Sequence, residues 1–286
     1  MLWSWFGLRQ SLELAWSFDA GGTVWRLIPT ATGRILGEVR NQEEKRASFF
    51  CLDGASGKTL WRDRAFDEPW WIGIEAVAGD IVLLHTYEKP DMPQHRSMIA
   101  IDLRSAQELW REAEVTFWFL AGTSVYGVRE GLGSRSALEI ELRSGRRIRI
   151  VDETLAELGE LRKNASQSLQ TGEITLASPY AQGGDHELDR ILSRSVLRTH
   201  GTAGLESLRL NDYLLVSFFV PTGAGEGQRP EFANHLRIID LRKGKILHDE
   251  ILARSVPAPV PDTFYVKDGT VVSVKDLCVV QAHRLP

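Results

Sequence analysis

The chain has 286 residues, 43% of them hydrophobic and 25% charged, with a formal net charge of −4 at pH 7. That length supports one large all-β domain or two ordinary domains without staples, and the slightly acidic balance with scattered basic residues excludes a nucleic-acid surface. Cys51 and Cys278 stand far apart in apolar runs, which reads as two buried free thiols rather than a disulfide and suits a reducing compartment.

No run approaches the roughly 18 apolar residues of a membrane-spanning helix. The opening "MLWSWFGLRQ" has no basic stretch and no small-residue cleavage site, so no signal peptide is read and a cytoplasmic location is expected. Within it, Trp3 and Trp5 alternate with Leu2, Ser4 and Phe6 and extend an edge strand, or else form an aromatic tail suited to a partner or a membrane interface.

From there the elements are strands. "SLELAWSFD" (11–19) is an alternating single strand, and "TVWRLIPTATGRILGEV" (23–39) is a strand pair around a short turn. The stretch "FFCLDGASGKTLWRD" (49–63) follows, and its pattern returns in "MIAIDLRSAQELWRE" (98–112), "ALEIELRSGRRIRIVD" (137–152) and "HLRIIDLRKGKILHDE" (235–250). Each copy has an alternating apolar run, an acidic residue (Asp53, Asp102, Glu141, Asp240) and, four residues on, a turn residue (Gly57, Ala106, Gly145, Gly244). Trp61 and Trp110 occupy the next strand in the first two copies, and Trp16 in "LAW" matches them. Alternation makes a half-buried strand, the acid accepts backbone N–H groups at the turn, and glycine supplies positive φ, so each copy is strand, tight turn, strand.

Further pairs at 70–87, 116–130 and 204–220 precede the later copies, and a fifth at 262–276 is followed by one last strand, 277–285. The C-terminal group thus lacks a strand and the N-terminal strand 11–19 is unpaired, which predicts that the first completes the last. Residues 1–286 therefore read as a single β-propeller domain of five four-stranded blades closed by the N-terminal strand. The interval from Glu141 to Asp240 is about twice the others, leaving six blades as the alternative. Two helical patterns inside it, from Thr154 with Glu157 in capping-box spacing and from Asp185, favour a helical insertion at 152–200, with at most a short strand between the helices.

The segments "LDGASGKTLW" and "IDLRSAQELW" resemble the Trp-docking blade repeat of the quinoprotein alcohol dehydrogenase-like propellers. The likeness implies a propeller whose tryptophans dock neighbouring blades. The enzymes of that family have about eight blades, a vicinal cysteine pair, pyrroloquinoline quinone and Ca²⁺. This sequence has none of the vicinal cysteines, so quinone chemistry is rejected and no cofactor or metal is expected; the scaffold members of the family are the better fit.

In a four-stranded antiparallel blade the first and third turns share one rim, and the remaining connections share the other. The long connections, 88–96, 129–135, the 152–200 insertion and 221–234, all fall on that second rim, and function on rigid β scaffolds gathers on such loops. The leading expectation is a non-catalytic scaffold that binds a protein partner there. The alternative is a hydrolase of a glycan or related polyol, with Glu75, Glu206 and Asp268 facing a central channel. The remaining tryptophans, Trp25, Trp70, Trp71 and Trp118, fall on or beside first strands and are expected to be half-buried there. Asp185, His186 and Asp189 read as a solvated helix start rather than a metal site, and the glycine-rich "GAGEG" (223–227) as a loop without a phosphate-binding helix.

Overall fold

The structure is a computed structural model that describes residues 11–88, 94–131, 134–151, 156–168, 174–180, 183, 186–196, 202–223 and 230–286. The described chain is all-β apart from two helices, and its strands form five antiparallel sheets. By internal packing it divides into two compact units, one Gly21–Gly172 and the other combining Met1–Ala20 with Glu173–Pro286.

The first strand, β1 (Glu13–Asp19), belongs to the second unit. The Gly21–Gly172 unit holds three four-stranded sheets in chain order. The first is β2 (Thr23–Pro29), β3 (Arg34–Asn41), β4 (Arg46–Asp53) and β5 (Thr59–Arg64). Then come β6 (Ile72–Ala78), β7 (Ile81–Tyr87), β8 (His95–Asp102) and β9 (Glu108–Glu112). The third is β10 (Thr116–Ala121), β11 (Ser124–Gly131), β12 (Ser134–Glu141) and β13 (Arg147–Val151). The middle strands are buried on both faces, as in "RILGEVRN" and "IVLLHTY", whereas the fourth strands β5 and β9 remain partly exposed. Leu36, Phe49 and Cys51 of the first sheet join Ile72, Ile74, Leu84 and Ile99 of the second in one core, and Leu83, Met98 and Ala100 join Val125, Leu138 and Ile140 in the next. Helix α1 (Ala156–Ser168) lies on the third sheet, where Leu158 and Ala165 bury against Phe119, Tyr126 and Ala137.

The other unit continues with β14 (Ile174–Leu176), β15 (Ser178–Pro179) and α2 (His186–Ser195). The sheet β16 (Ala203–Leu210), β17 (Tyr213–Gly223), β18 (Glu231–Asp240), β19 (Lys245–Val256) follows, with β15 added at its β16 edge. Helix α2 covers that sheet, burying Leu192 and Val196 against Leu214, Val216 and Phe218. The last sheet is β20 (Phe264–Lys267), β21 (Thr270–Lys275) and β22 (Val279–Arg284), with β14 beyond β20 and β1 beyond β22. Glu13 pairs with Arg284 and Asp19 with Val279, so the N-terminal strand completes the C-terminal sheet.

Two differences from the sequence reading have local causes. The segment between the helices holds two short strands rather than one at most, and each widens a sheet to five strands. Cys278 follows the tight turn at Asp276 and Leu277, both at positive φ, and is half-buried rather than buried; Cys51, in the middle of β4, is fully buried. Trp3, Trp5, Thr154, Asp185 and the side chain of Glu157 lie outside the described residues.

Candidate functional site

The repeat residues do their work at the turn ends of the sheets. Asp53 Oδ1 accepts the Ser56 N–H at 2.9 Å, Asp102 Oδ1 those of Arg104 and Ser105 at 2.9 Å, Glu141 Oε2 that of Ser144 at 3.0 Å, and Asp240 Oδ1 that of Lys243 at 2.9 Å. Hydrogen bonds from Ser56 hold the Asp53 carboxyl below its usual range. Gly57, Ala106, Gly145 and Gly244 all take positive φ, and Ala106 does so at 58° without being glycine. The Trp61 indole N–H donates to the Leu103 carbonyl of the following sheet at 2.7 Å, and that of Trp110 to Leu142 at 2.8 Å. Trp16 is buried in β1, but its indole N–H has no acceptor among the described residues.

At the opposite end of the sheets, where the longer connections emerge, the first strands are irregular. A register shift lies between Val24 and Arg26 in β2, between Ile74 and Ala76 in β6, and between Phe117 and Phe119 in β10. The bulged residues are Trp25, Glu75 and Trp118, three equivalent positions in consecutive sheets. A bulge turns its extra side chain away from the regular pleat. This explains why Trp25 is 60% exposed rather than half-buried. Trp118 is covered instead, with the Arg162 guanidinium of α1 over its ring at 5.9 Å.

Glu75 meets two histidines from the next two strands. His95 Nδ1 is 2.7 Å from Glu75 Oε2, and His85 Nδ1 is 3.0 Å from the same oxygen. The two imidazoles stack with centroids 3.5 Å apart and planes within 6°. His85 also sits beside an irregularity, the shift between Leu84 and Thr86 that places Ser97 at φ 60°. Its side chain is 4% exposed, and neither ring nitrogen has a hydrogen-bond partner among the described residues: the approach to Glu75 is close but too oblique. Tyr87 stands edge-on to both rings, at 5.1 and 5.3 Å. Burial raises the Glu75 carboxyl, yet the two imidazoles outweigh it and hold the group below its usual range. These histidines escaped the sequence reading, which assigned only Glu75. The one signal was a His in each of the two strands that follow, and only pairing across a meander brings the three together.

The other unit has a second such cluster, of His248, Glu250 and His283. Its carboxylate is already compensated: Lys275 Nζ donates to Glu250 Oε1 at 2.6 Å and Gln281 Nε2 to Oε2 at 2.6 Å. His248 Nδ1 accepts the Leu12 N–H at 3.4 Å. Burial raises the Glu250 carboxyl, but the bonds from His248, Lys275 and Gln281 prevail and lower it to about 2.

The remaining acids of the hydrolase reading belong to this second unit. Glu206 accepts the Asp262 N–H at 3.1 and 3.3 Å, and burial leaves its carboxyl above the usual range. Asp268 sits at φ 48° and, with Gly269, forms the tight turn between β20 and β21. Asp189 accepts the Tyr180 hydroxyl and, at 3.1 Å, the Gly183 N–H. No helix among the described residues is long and apolar enough to cross a membrane.

Residues 28–110, which include Glu75, His85 and His95, match a family model described as a domain of unknown function (DUF4905). No curated protein matches the chain. Among solved structures it is similar to one titled "AfRom2 CNH domain", at 8% identity over 96% of this chain and 98% of that one, with a TM-score of 0.32. It is similar also to "Complex of KlAtg21 with coiled-coil of AgAtg16", at 7% identity over 89% of this chain and 67% of that one, TM-score 0.28. A third, "Crystal structure of the eukaryotic initiation factor", aligns at 10% identity over 89% of this chain and 50% of that one, TM-score 0.30.

Proposed function

We propose that the five sheets are blades of one β-propeller of the Trp-docking kind, completed by β1. In this reading the chain is a non-catalytic cytoplasmic scaffold that binds a protein partner through the long-connection ends of its sheets, on the segments 88–96, 129–135, 152–200 and 221–234. The observation that carries the reading is Trp25: a large indole, 60% exposed, held out by a strand bulge at the end where the long connections emerge. Exposed tryptophan on a rigid strand is the side chain that most often anchors an interface, because it buries a large area at little entropic cost. The hydrogen bonds of Trp61 and Trp110 support it from the other end, by fixing the first sheet to the second and the second to the third. Hydrolysis of a glycosidic bond needs two carboxylates free to flank it. Glu206 is instead engaged by the Asp262 backbone N–H, and Asp268 stands in the tight turn between β20 and β21, which favours the scaffold over the hydrolase.

The test is affinity capture with the full chain, identification of a stoichiometric partner, and reconstitution of the purified pair. Trp25→Ser is expected to weaken that complex at least about tenfold while leaving the thermal midpoint unchanged. Undiminished affinity in Trp25→Ser would remove the interface from this end. A glycan-hydrolysing turnover that disappears in a folded Glu206→Ala variant would overturn the scaffold reading altogether.

A further inference from the structure

We infer that Glu75, His85 and His95 are a three-ligand site for one divalent transition-metal ion of the zinc type, with a fourth position open toward His95. The inference does not depend on the scaffold reading.

The donor set suits the ion. Two imidazole nitrogens and a carboxylate oxygen are borderline ligands that zinc and its late first-row neighbours accept, and three protein ligands leave one position for water or another donor. The spacing suits it as well. Ligands about 2.0–2.1 Å from a tetrahedral ion stand roughly 3.3 Å from one another. The approaches of His95 and His85 to Glu75 Oε2, 2.7 and 3.0 Å, need to open by only a few tenths of an ångström.

Charge and orphaned polarity point the same way. Among the described residues no lysine or arginine pairs with Glu75, so a half-buried carboxylate faces only two imidazoles. His85 is the sharper sign. Its Nδ1 lies 3.0 Å from a carboxylate oxygen, in an orientation that no N–H···O hydrogen bond explains. In the tautomer with the proton on Nε2, the Nδ1 lone pair faces the carboxylate, a repulsive approach that a shared cation relieves. The ring is 4% exposed and stacked on His95 at 3.5 Å, and its Cε1 and Nε2 edge is turned toward Gly73, which leaves room for it by having no Cβ.

Parallel rings cannot both point their lone pairs at one ion. His95, the first residue of β8 and 34% exposed in its side chain, is the ring that turns when the ion enters, while the buried His85 stays fixed. The His248, Glu250 and His283 cluster lacks these properties: the Lys275 ammonium already neutralises Glu250, and the Leu12 N–H occupies His248 Nδ1. It is therefore the internal control.

The experiment is calorimetric titration of the full chain, stripped with chelator, with zinc chloride near pH 7.5, repeated with cobalt(II) chloride and read by visible absorption. One equivalent is expected, with tetrahedral cobalt bands and a thermal midpoint that rises with zinc concentration. Glu75→Gln and His95→Ala are expected to weaken binding at least about tenfold without lowering the midpoint of the metal-free protein, and Glu250→Gln to leave binding unchanged. Absence of saturable binding, or equal binding in Glu75→Gln and His95→Ala, overturns the site. So does a loss of binding confined to Glu250→Gln, which would assign the ion to the other cluster.

Discussion

Glu38 Oε2 accepts the backbone N–H of Ile74 at 3.0 Å, across the packing from β3 to the first strand of the next sheet. Its other oxygen takes the Arg40 Nε–H at 2.8 Å, and the same guanidinium donates to the carbonyls of Trp70 and Ile72. Arg26 caps the Ile74 carbonyl. The open edge of β6 is thereby satisfied by side chains of the preceding sheet instead of by another strand, which blocks edge-to-edge pairing with a second chain. Arg40→Met would strand the buried Glu38 carboxylate and two carbonyls together. Breaking a buried pair from one side costs about 3–5 kcal/mol, and that loss is expected in urea unfolding. The double variant Glu38→Leu with Arg40→Met is expected to recover only part of it, because the Trp70 and Ile72 carbonyls stay unpaired and the Ile74 N–H loses its acceptor; full recovery would mean that these backbone bonds contribute nothing.

Gly145 and Gly244 hold the same place in two copies of the repeat, at φ 71° and 62°, but only one of them is covered. A Cβ on Gly145 would lie 2.4 Å from Trp110 Cγ, whereas one on Gly244 would meet nothing within 4 Å. Gly244→Ala is expected to cost about 1–2 kcal/mol from the left-handed backbone alone. Gly145→Ala adds overpacking of about 1–3 kcal/mol against the indole. Equal losses in denaturant melts would show that Trp110 does not bear on this turn.

Acid stability tracks Glu250. Its carboxyl falls from an ordinary 4.5 to about 2 in the folded chain, so its contribution is fully present above 4.5 and is lost as the pH falls from there through about 2. His283, pushed down by burial and then by His248, adds an earlier loss that begins as the pH falls below its ordinary 6.5. The Glu250 share is therefore read as wild type minus Glu250→Gln. Thermal midpoints of the two are expected to converge between pH 4.5 and 2.5. A constant difference over that range would rule out the contribution.

The two thiols differ in reach. Burial pushes Cys51 up to about 12, against a lowering by Arg34, and burial raises the half-buried Cys278 as well. Only the thiolate reacts with an alkylating agent. At pH 8, mass spectrometry is expected to find slow alkylation at Cys278 first and modification of Cys51 only after unfolding. Equal native-state labelling would contradict the burial of β4.

The strands and their turns were legible in the sequence because they depend on local chemistry, and the pairing of β1 with β22 because the repeat left one strand missing at the end and one unpaired at the start. Alternation of period two places "LELAWSFD" as a strand, and an acid followed four residues on by glycine closes a turn whatever surrounds it. The sites were not legible in that way. Glu75, His85 and His95 occupy three strands, and two register shifts, after Ile74 and after Leu84, aim the first two at each other. A shift of one residue sends a side chain to the opposite face of a sheet, so alternation alone misplaces these residues, as it does Trp25. Glu38 and Arg40 read as ordinary strand charges until the edge of β6 supplies their partners. Periodicity reports which face of its own strand a residue takes; the neighbouring strand and its bulges decide what stands opposite, and that opposition assembles the cluster.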